Sequence, residues 1–237
     1  MRTFKHSGDL GDIIFALPAM RALGGGILYL DPAGGESEPL VRLCLPTEGR
    51  TKLTAATIES VRPLLLLQEY VADVRVWSGE KVDINLDQFR AHISAPNLAD
   101  SHLRAFGLPT SHRDSAWLRV DVPLPQAGFP IVINRTVRFA CNHEFWEDFL
   151  PTYYREALFV GFPKEHEFFE FTFGFPIRYM PTPTILDLAR VIAGGEEFAG
   201  NPSLAHAIAE GMKKNKTLEV YRLLPNVVFP RPGARYV

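Results

Sequence analysis

Short apolar runs and amphipathic runs alternate along almost the whole chain, and no other feature constrains the fold as strongly. Strand–helix alternation is the pattern of a parallel sheet covered by helices. Gly26 to Leu30 reads as a strand ended by Asp31-Pro32, and Leu53 to Gln68 as a helix that Pro63 must kink or restart. Val74 to Trp77 and Val82 to Asn85 alternate as half-buried strands do, Asn97 to Phe106 is a helix with Asn97 as its cap, and Trp117 to Val122 is a further short strand. Pro123, Pro125, Gly128 and Pro130 then interrupt the pattern, which suits a stiff connector. Beyond it the alternation restarts, with strands at 131–133, 157–160, 177–180, 198–199 and 217–221 and helices at 144–150, 163–169, 184–193 and 203–212. The expected architecture is α/β, with two Rossmann-like domains over 1–124 and 125–225 and a tail over 226–237.

The opening of the chain is its most chemical part. A short apolar lead, Thr3-Phe4, runs into Ser7-Gly8-Asp9-Leu10-Gly11-Asp12, then into a pattern with Ile13, Leu17 and Met20 on one helix face. That is a strand, a glycine turn and a helix opening. Gly8 and Gly11 let a ligand approach the main chain closely. Asp12 falls at the carboxyl end of the first strand, where open α/β sheets place their chemistry. Asp9 or Asp12 also suits a purely structural helix cap.

The run Ser7-Gly8-Asp9-Leu10-Gly11-Asp12-Ile13-Ile14, followed by Ala16-Leu17-Pro18-Ala19, resembles the opening of the family 9 glycosyltransferases, the group that includes lipopolysaccharide heptosyltransferases. A second stretch, Ile185 to Gly195 and then Glu196 to Gly211 with Gly200-Asn201, Ser203 and His206, resembles that family's donor-site segment. The resemblance implies a GT-B fold with the active site in a cleft between two domains. It implies an inverting, metal-independent transfer from a nucleotide-sugar donor to an acceptor hydroxyl of unknown class, with no further cofactor. Asp12 of the first, acceptor-side domain is the implied base. The donor's diphosphate would lie on the helix opening after Gly200-Asn201, with Ser203 and His206, and on Asn134 to Arg138, where Arg135 and Arg138 offer planar forks for phosphate oxygens beside Thr136. Gly11 is grouped with these phosphate-binding residues. The tail is expected to pack back toward the first domain, as chain ends do in such proteins.

The family usually carries an acidic residue and a glycine where this chain has Pro202 and Leu204. Those departures and the short length keep open a second reading, a non-catalytic nucleotide- or sugar-binding relative or a subunit of a complex. A dinucleotide-dependent oxidoreductase fits less well: the first turn lacks the three-glycine spacing, although Asp31 closes the second strand where a ribose-binding acid would sit.

Other clusters carry less. His6, Asp9 and Asp12 are too loosely spaced for a metal site, and Cys141 with His143 supplies only two ligands. Glu196 and Glu197 could hydrogen-bond a ribose but read more simply as a solvated turn, and Phe168, Phe169, Phe171, Phe173 and Phe175 as core packing. A net charge of −2 leaves no general footprint for nucleic acid. Cys44 and Cys141 are too few for a disulfide framework, and no apolar run reaches the length of a membrane span. A cytoplasmic setting is the expectation.

Overall fold

The computed structural model describes residues 1–32, 53–93 and 96–237, so Cys44 lies outside the described residues. The chain divides into two compact units, Met1–Arg119 and Val120–Val237.

In the first unit four strands, β1 (Arg2–His6), β2 (Gly26–Leu30), β3 (Val71–Val76) and β4 (Ile84–Asn85), form a parallel sheet in the order β3-β2-β1-β4. The chain moves outward from β1 through β2 to β3, then crosses back to place β4 on the other side of β1. This makes a topological switch point at the carboxyl ends of β1 and β4, the position at which open sheets bind ligands. Helices α1 (Leu10–Ala22), α2 (Ala55–Leu66) and α3 (Leu98–Ala105) accompany the sheet.

Helix α1 buries every residue from Ile13 to Met20, so it is a core helix and not the one-faced helix the spacing suggests. Pro18 lies inside it and cannot donate to the Ile14 carbonyl one turn back. The Trp117 indole N–H takes that carbonyl at 3.0 Å. Trp117 and Leu118 are therefore buried against the helix, and the expected strand over 117–122 does not form. Pro63 also sits within a continuous helix: α2 runs through it without restarting. Asn97 caps α3 as expected, accepting the Asp100 amide.

The second unit carries six strands, β5 (Ile131–Asn134), β6 (Ala157–Phe159), β7 (Arg178–Tyr179), β8 (Glu197–Gly200), β9 (Asn215–Leu218) and β10 (Ala234–Tyr236). They form a parallel sheet in the order β10-β9-β8-β5-β6-β7, with its switch point between β5 and β8. Helices α4 (His143–Tyr153), α5 (Pro163–Phe173), α6 (Ile185–Gly194) and α7 (Leu204–Gly211) connect the strands. An aromatic core of Trp146, Phe149, Phe159 and Phe169 packs on one face. Phe173 and Phe175 are partly buried against it, but Phe168 and Phe171 point outward, the latter 87% exposed.

The unit boundary lies five residues before the proline cluster's expected break at 124, because Asp121 and Leu124 are already tied to α6. Arg190 donates to Asp121 from Nε at 2.9 Å, and its carbonyl accepts the Leu124 amide at 2.9 Å. The tail is built into the second unit. Its strand β10 pairs with β9, and the Phe229 amide donates to the Tyr236 hydroxyl at 2.8 Å. The apolar Val227 and Phe229 are buried, which anchors the segment there. No described helix is long and apolar enough to cross a membrane.

Candidate active site

At the first switch point the chain leaves β1 through Ser7-Gly8-Asp9, and side chains hold all three amides. The Ser7 N–H donates to Asp87 Oδ1 at 2.9 Å while its hydroxyl donates to Oδ2 at 2.8 Å. The Gly8 N–H donates to His6 Nδ1 at 2.9 Å. The Asp9 N–H donates to Asp12 Oδ2 at 3.3 Å, with Asp9 as N-cap and Asp12 in the first turn of α1. Successive amides in such a turn make an anion-binding nest only when they point at a ligand. Here carboxylates occupy two of them and an imidazole the third. This turn therefore presents a carboxylate, and its three amides are already taken by side chains. Gly11 lies beside Asp12 in the same first helical turn.

Gly8 is required by close approach: a Cβ there would lie 2.6 Å from His6 Cε1 and 2.8 Å from Asp12 Oδ2. The Asp12 carboxylate serves as a cap, as the structural reading allowed, and the same bond fixes where it points.

Charged neighbours crowd this edge. Lys5 Nζ lies 2.9 Å from Asp31 and 3.6 Å from Asp87, and 4.4 Å above the Trp77 ring. Asp31, the candidate ribose acid, thus pairs with Lys5. Arg90 donates to Asp87 at 2.6 Å. Burial by itself would raise the Asp87 carboxyl, but His6, Arg90 and the Ser7 hydrogen bonds outweigh it and hold it below the usual range. Beneath the turn His6 and His102 are fully buried, their ring centroids 5.2 Å apart, with Phe89 stacked on His102 at 4.1 Å. Burial pushes His6 down to about 4 against the pull of Asp87, and it pushes His102 well below its ordinary value. Among the described residues no three His, Cys, Asp or Glu side chains gather as metal ligands. A concavity lined by Arg2, Gly24, Tyr70 and Asp83 lies at the amino ends of these strands, away from the turn.

At the second switch point Asn201 joins the loops after β5 and β8. Its Oδ1 accepts the Thr136 amide at 2.9 Å, and its Nδ2 donates to the Thr136 carbonyl at 2.7 Å. Gly200 permits this, because a Cβ there would run into the Asn134 carbonyl. Ser203 caps α7 by accepting the His206 amide at 3.2 Å. Arg138 sits over the Phe139 ring, its guanidinium 4.7 Å from the centroid.

Two of the expected phosphate ligands turn inward. Arg135 is buried and donates to Glu219 at 2.8 and 3.2 Å, with Phe173 against its guanidinium. Glu219 also accepts from Cys141 N, Asn142 N and Trp146 Nε1. His206 is fully buried, on the face of α7 that also carries Glu210 one turn on; its Nε2 meets Lys216 Nζ at 2.8 Å, and Lys216 pairs with Glu210 at 2.6 Å. Burial first, then Lys216 and Arg231, push His206 well below its ordinary value. Thr136, Arg138, Gly200, Asn201 and Ser203 are left at the sheet's carboxyl edge.

Sequence reasoning passed over Asp87 and Glu219. Asp87 lies two residues past the short strand Ile84-Asn85, a signal that could have found it. Glu219 had no such signal, because it fell inside the expected strand 217–221.

No family model and no curated protein sequence matches the chain. Solved structures do resemble it. The E. coli heptosyltransferase WaaC with ADP-2-deoxy-2-fluoro heptose superposes with a TM-score of 0.59 at 9% identity, covering 100% of this chain and 93% of that one. A family 9 glycosyl transferase from Veillonella parvula gives 0.63 at 11% identity, over 99% of this chain and 84% of that one. WaaC with ADP gives 0.55 at 10% identity, over 100% and 90%. The chain therefore has a GT-B glycosyltransferase fold, two parallel α/β units in one polypeptide. Within that fold it is similar to the family 9 enzymes, as the two sequence motifs implied.

Proposed function

We propose that the protein is a glycosyltransferase that moves a sugar from a nucleotide-activated donor to an acceptor hydroxyl, with inversion and without a metal. The observation that carries this reading is the Asp12 carboxylate, fixed at the carboxyl end of β1 on a turn whose amides are already bound to side chains. The fold likeness to a heptosyltransferase solved with ADP and with an ADP-heptose analogue supports a nucleotide-diphosphate donor. Asp12 takes the proton of the acceptor hydroxyl as its oxygen bonds to the anomeric carbon. The bond from that carbon to the diphosphate breaks, and the nucleotide leaves with the electron pair. Thr136, Arg138, Ser203 and the first amides of α7 stabilise that charge. Asn201 positions the Thr136 peptide, and Arg135 and His206 act only as supports behind it.

Asp12→Asn is expected to lower the transfer rate by about 10²–10⁴-fold, the usual worth of a positioned base. Calorimetry should show nucleotide affinity unchanged, and transfer at the wild-type rate would refute the assignment. EDTA is expected to leave transfer intact. The inward turn of Arg135 and His206 favours one second reading, a protein that binds a nucleotide or sugar without turnover. Nucleotide binding without transfer or donor hydrolysis across a panel of nucleotide sugars would establish it.

A further inference from the structure

We propose that His6 is a positioning residue for Asp12, holding the β1–α1 turn through the Gly8 amide and releasing that turn when it takes a proton. The inference rests on the transferase reading of Asp12. Two geometric facts carry it. His6 Nδ1 accepts the Gly8 N–H at 2.9 Å, which requires a neutral ring with its hydrogen on Nε2. The ring edge and the Asp12 carboxylate also border the same space, the one a side chain at Gly8 would fill. Movement of Gly8 off His6 therefore shifts it against Asp12, and the Asp12–Asp9 cap shifts with it.

A proton on Nδ1 would set an N–H against the Gly8 N–H and break the contact. The groups that face the ring decide how readily this happens. Asp87 favours the charged ring. Lys5 on the same strand and Arg90 from the segment after β4 oppose it. His102 on α3 lies alongside, Phe89 stacks over the ring at 5.7 Å, and Asp12 faces it across Gly8. Among the described residues His6 Nε2 has no hydrogen-bond partner, so the Gly8 contact is the ring's directional bond there. Burial of the ring moves its protonation to about 4.

The test compares two amides. Asn places its Oδ1 where Nδ1 stands and keeps an acceptor that cannot titrate; Gln places its amide where Nε2 stands and loses it. His6→Asn is expected to stay within about threefold of wild-type kcat, whereas His6→Gln loses about 10–100-fold, the scale of a slightly misplaced reacting group. The donor KM should stay within about twofold in both, since the loss is confined to the reacting geometry. The acid limb of log kcat is expected to carry a His6 protonation near 4 in the wild type that is missing in His6→Asn. Amide exchange at Gly8 should speed up about tenfold or more in His6→Gln and stay slow in His6→Asn. His102→Leu, which alters the same compartment without touching the turn, should leave kcat and Gly8 exchange unchanged.

Equal kcat in the Asn and Gln variants, or unchanged Gly8 protection in His6→Gln, overturns the assignment. Absence of transfer in the wild type, or an Asp12→Asn variant as active as the wild type, would sink the transferase reading instead. Gly8 exchange in the two His6 variants would then still decide whether His6 holds the turn.

Discussion

Under the β1–α1 turn of the first unit lie two imidazoles with three ring nitrogens that reach no hydrogen-bond partner among the described residues. Behind the β5 loop of the second unit a single carboxylate, Glu219, collects donors from Arg135, Cys141, Asn142 and Trp146. Both clusters are buried, and both stand behind the carboxyl edge of a parallel sheet. The difference lies in charge. An imidazole can shed its proton and tolerate a dry site as a neutral ring, at the cost of unmade hydrogen bonds. A guanidinium cannot, so Arg135 needs a full counter-charge whose every lone pair is used. The first unit can therefore respond to pH at its turn, whereas the second holds its loop in one state.

The largest effect should come from breaking the second cluster. Glu219→Gln leaves Arg135 buried without its counter-charge, and loss of one partner of such a pair costs about 3–5 kcal/mol. Chemical denaturation followed at Trp146 should show it. Arg135→Met with Glu219→Leu should recover much of that loss, since apolar replacement of both partners is far less costly. Recovery stays partial because the Trp146 indole and two backbone amides lose their acceptor. Recovery no better than Glu219→Gln would mean that hydrogen bonding, and not charge, holds the cluster.

Acid should act next, mainly on the first unit. Unfolded histidines bind protons near 6.5, while His6 stays neutral in the fold down to about 4 and His102 is also lowered. Between these values the unfolded state holds more protons, so stability falls as pH falls, by about 1.4 kcal/mol per pH unit for each such histidine. His6 contributes about 3 kcal/mol over the whole window. The second unit has one such group, His206. Above pH 5, before most carboxylates titrate, amide exchange should therefore accelerate earlier around β1 and α3 than around β5 and β8. Simultaneous acceleration in both units would erase the contrast.

A smaller effect is expected at Asn201. Asn201→Ala leaves the Thr136 amide and carbonyl without their partners and should cost about 1–3 kcal/mol. Nucleotide affinity should fall with it, and His6-side exchange should not change.

The sequence carried the elements better than it carried the partners. Strand β1, its glycine turn and α1 were readable because apolar spacing, Gly8 and the Asp9 cap are local signals. The α6–β8–α7 segment was readable for the same reason, through its apolar spacing and the Gly200-Asn201 turn, while the Thr184 and Ser203 caps, read as the first helical residues, went unseen. What failed was long-range. Arg135 looks like a loop arginine until Glu219, 84 residues on, takes its guanidinium. Ser7 gives no hint of Asp87, 80 residues away, and Trp117 reads as a strand residue until Pro18 leaves a helix carbonyl for its indole. His206 was placed on the right helix but on the wrong face, since Lys216 and Glu210 draw it inward. Partner choice depends on which loops the sheet order brings together, and no local pattern encodes that.

The smallest expected change is the one that sharpens the contrast most. Among the described residues His102 has neither ring nitrogen bonded, and buried polar groups left so typically cost about 1–3 kcal/mol. His102→Leu removes that cost and deepens the apolar compartment, but it also gives up the stacking with Phe89, worth about 0.5–1.5 kcal/mol. The mid-values leave a net gain of about 1 kcal/mol at pH 7, and the gain should widen as pH falls, because one of the two acid-sensitive rings in the first unit is gone. The equivalent change in the second unit, His206→Leu, should destabilise, since His206 Nε2 accepts from Lys216. Opposite signs at these two fully buried histidines would show that bonding to a partner, and not burial, sets the worth of each ring. A loss of stability in both would mean that His102 is held by packing its nitrogens do not disturb.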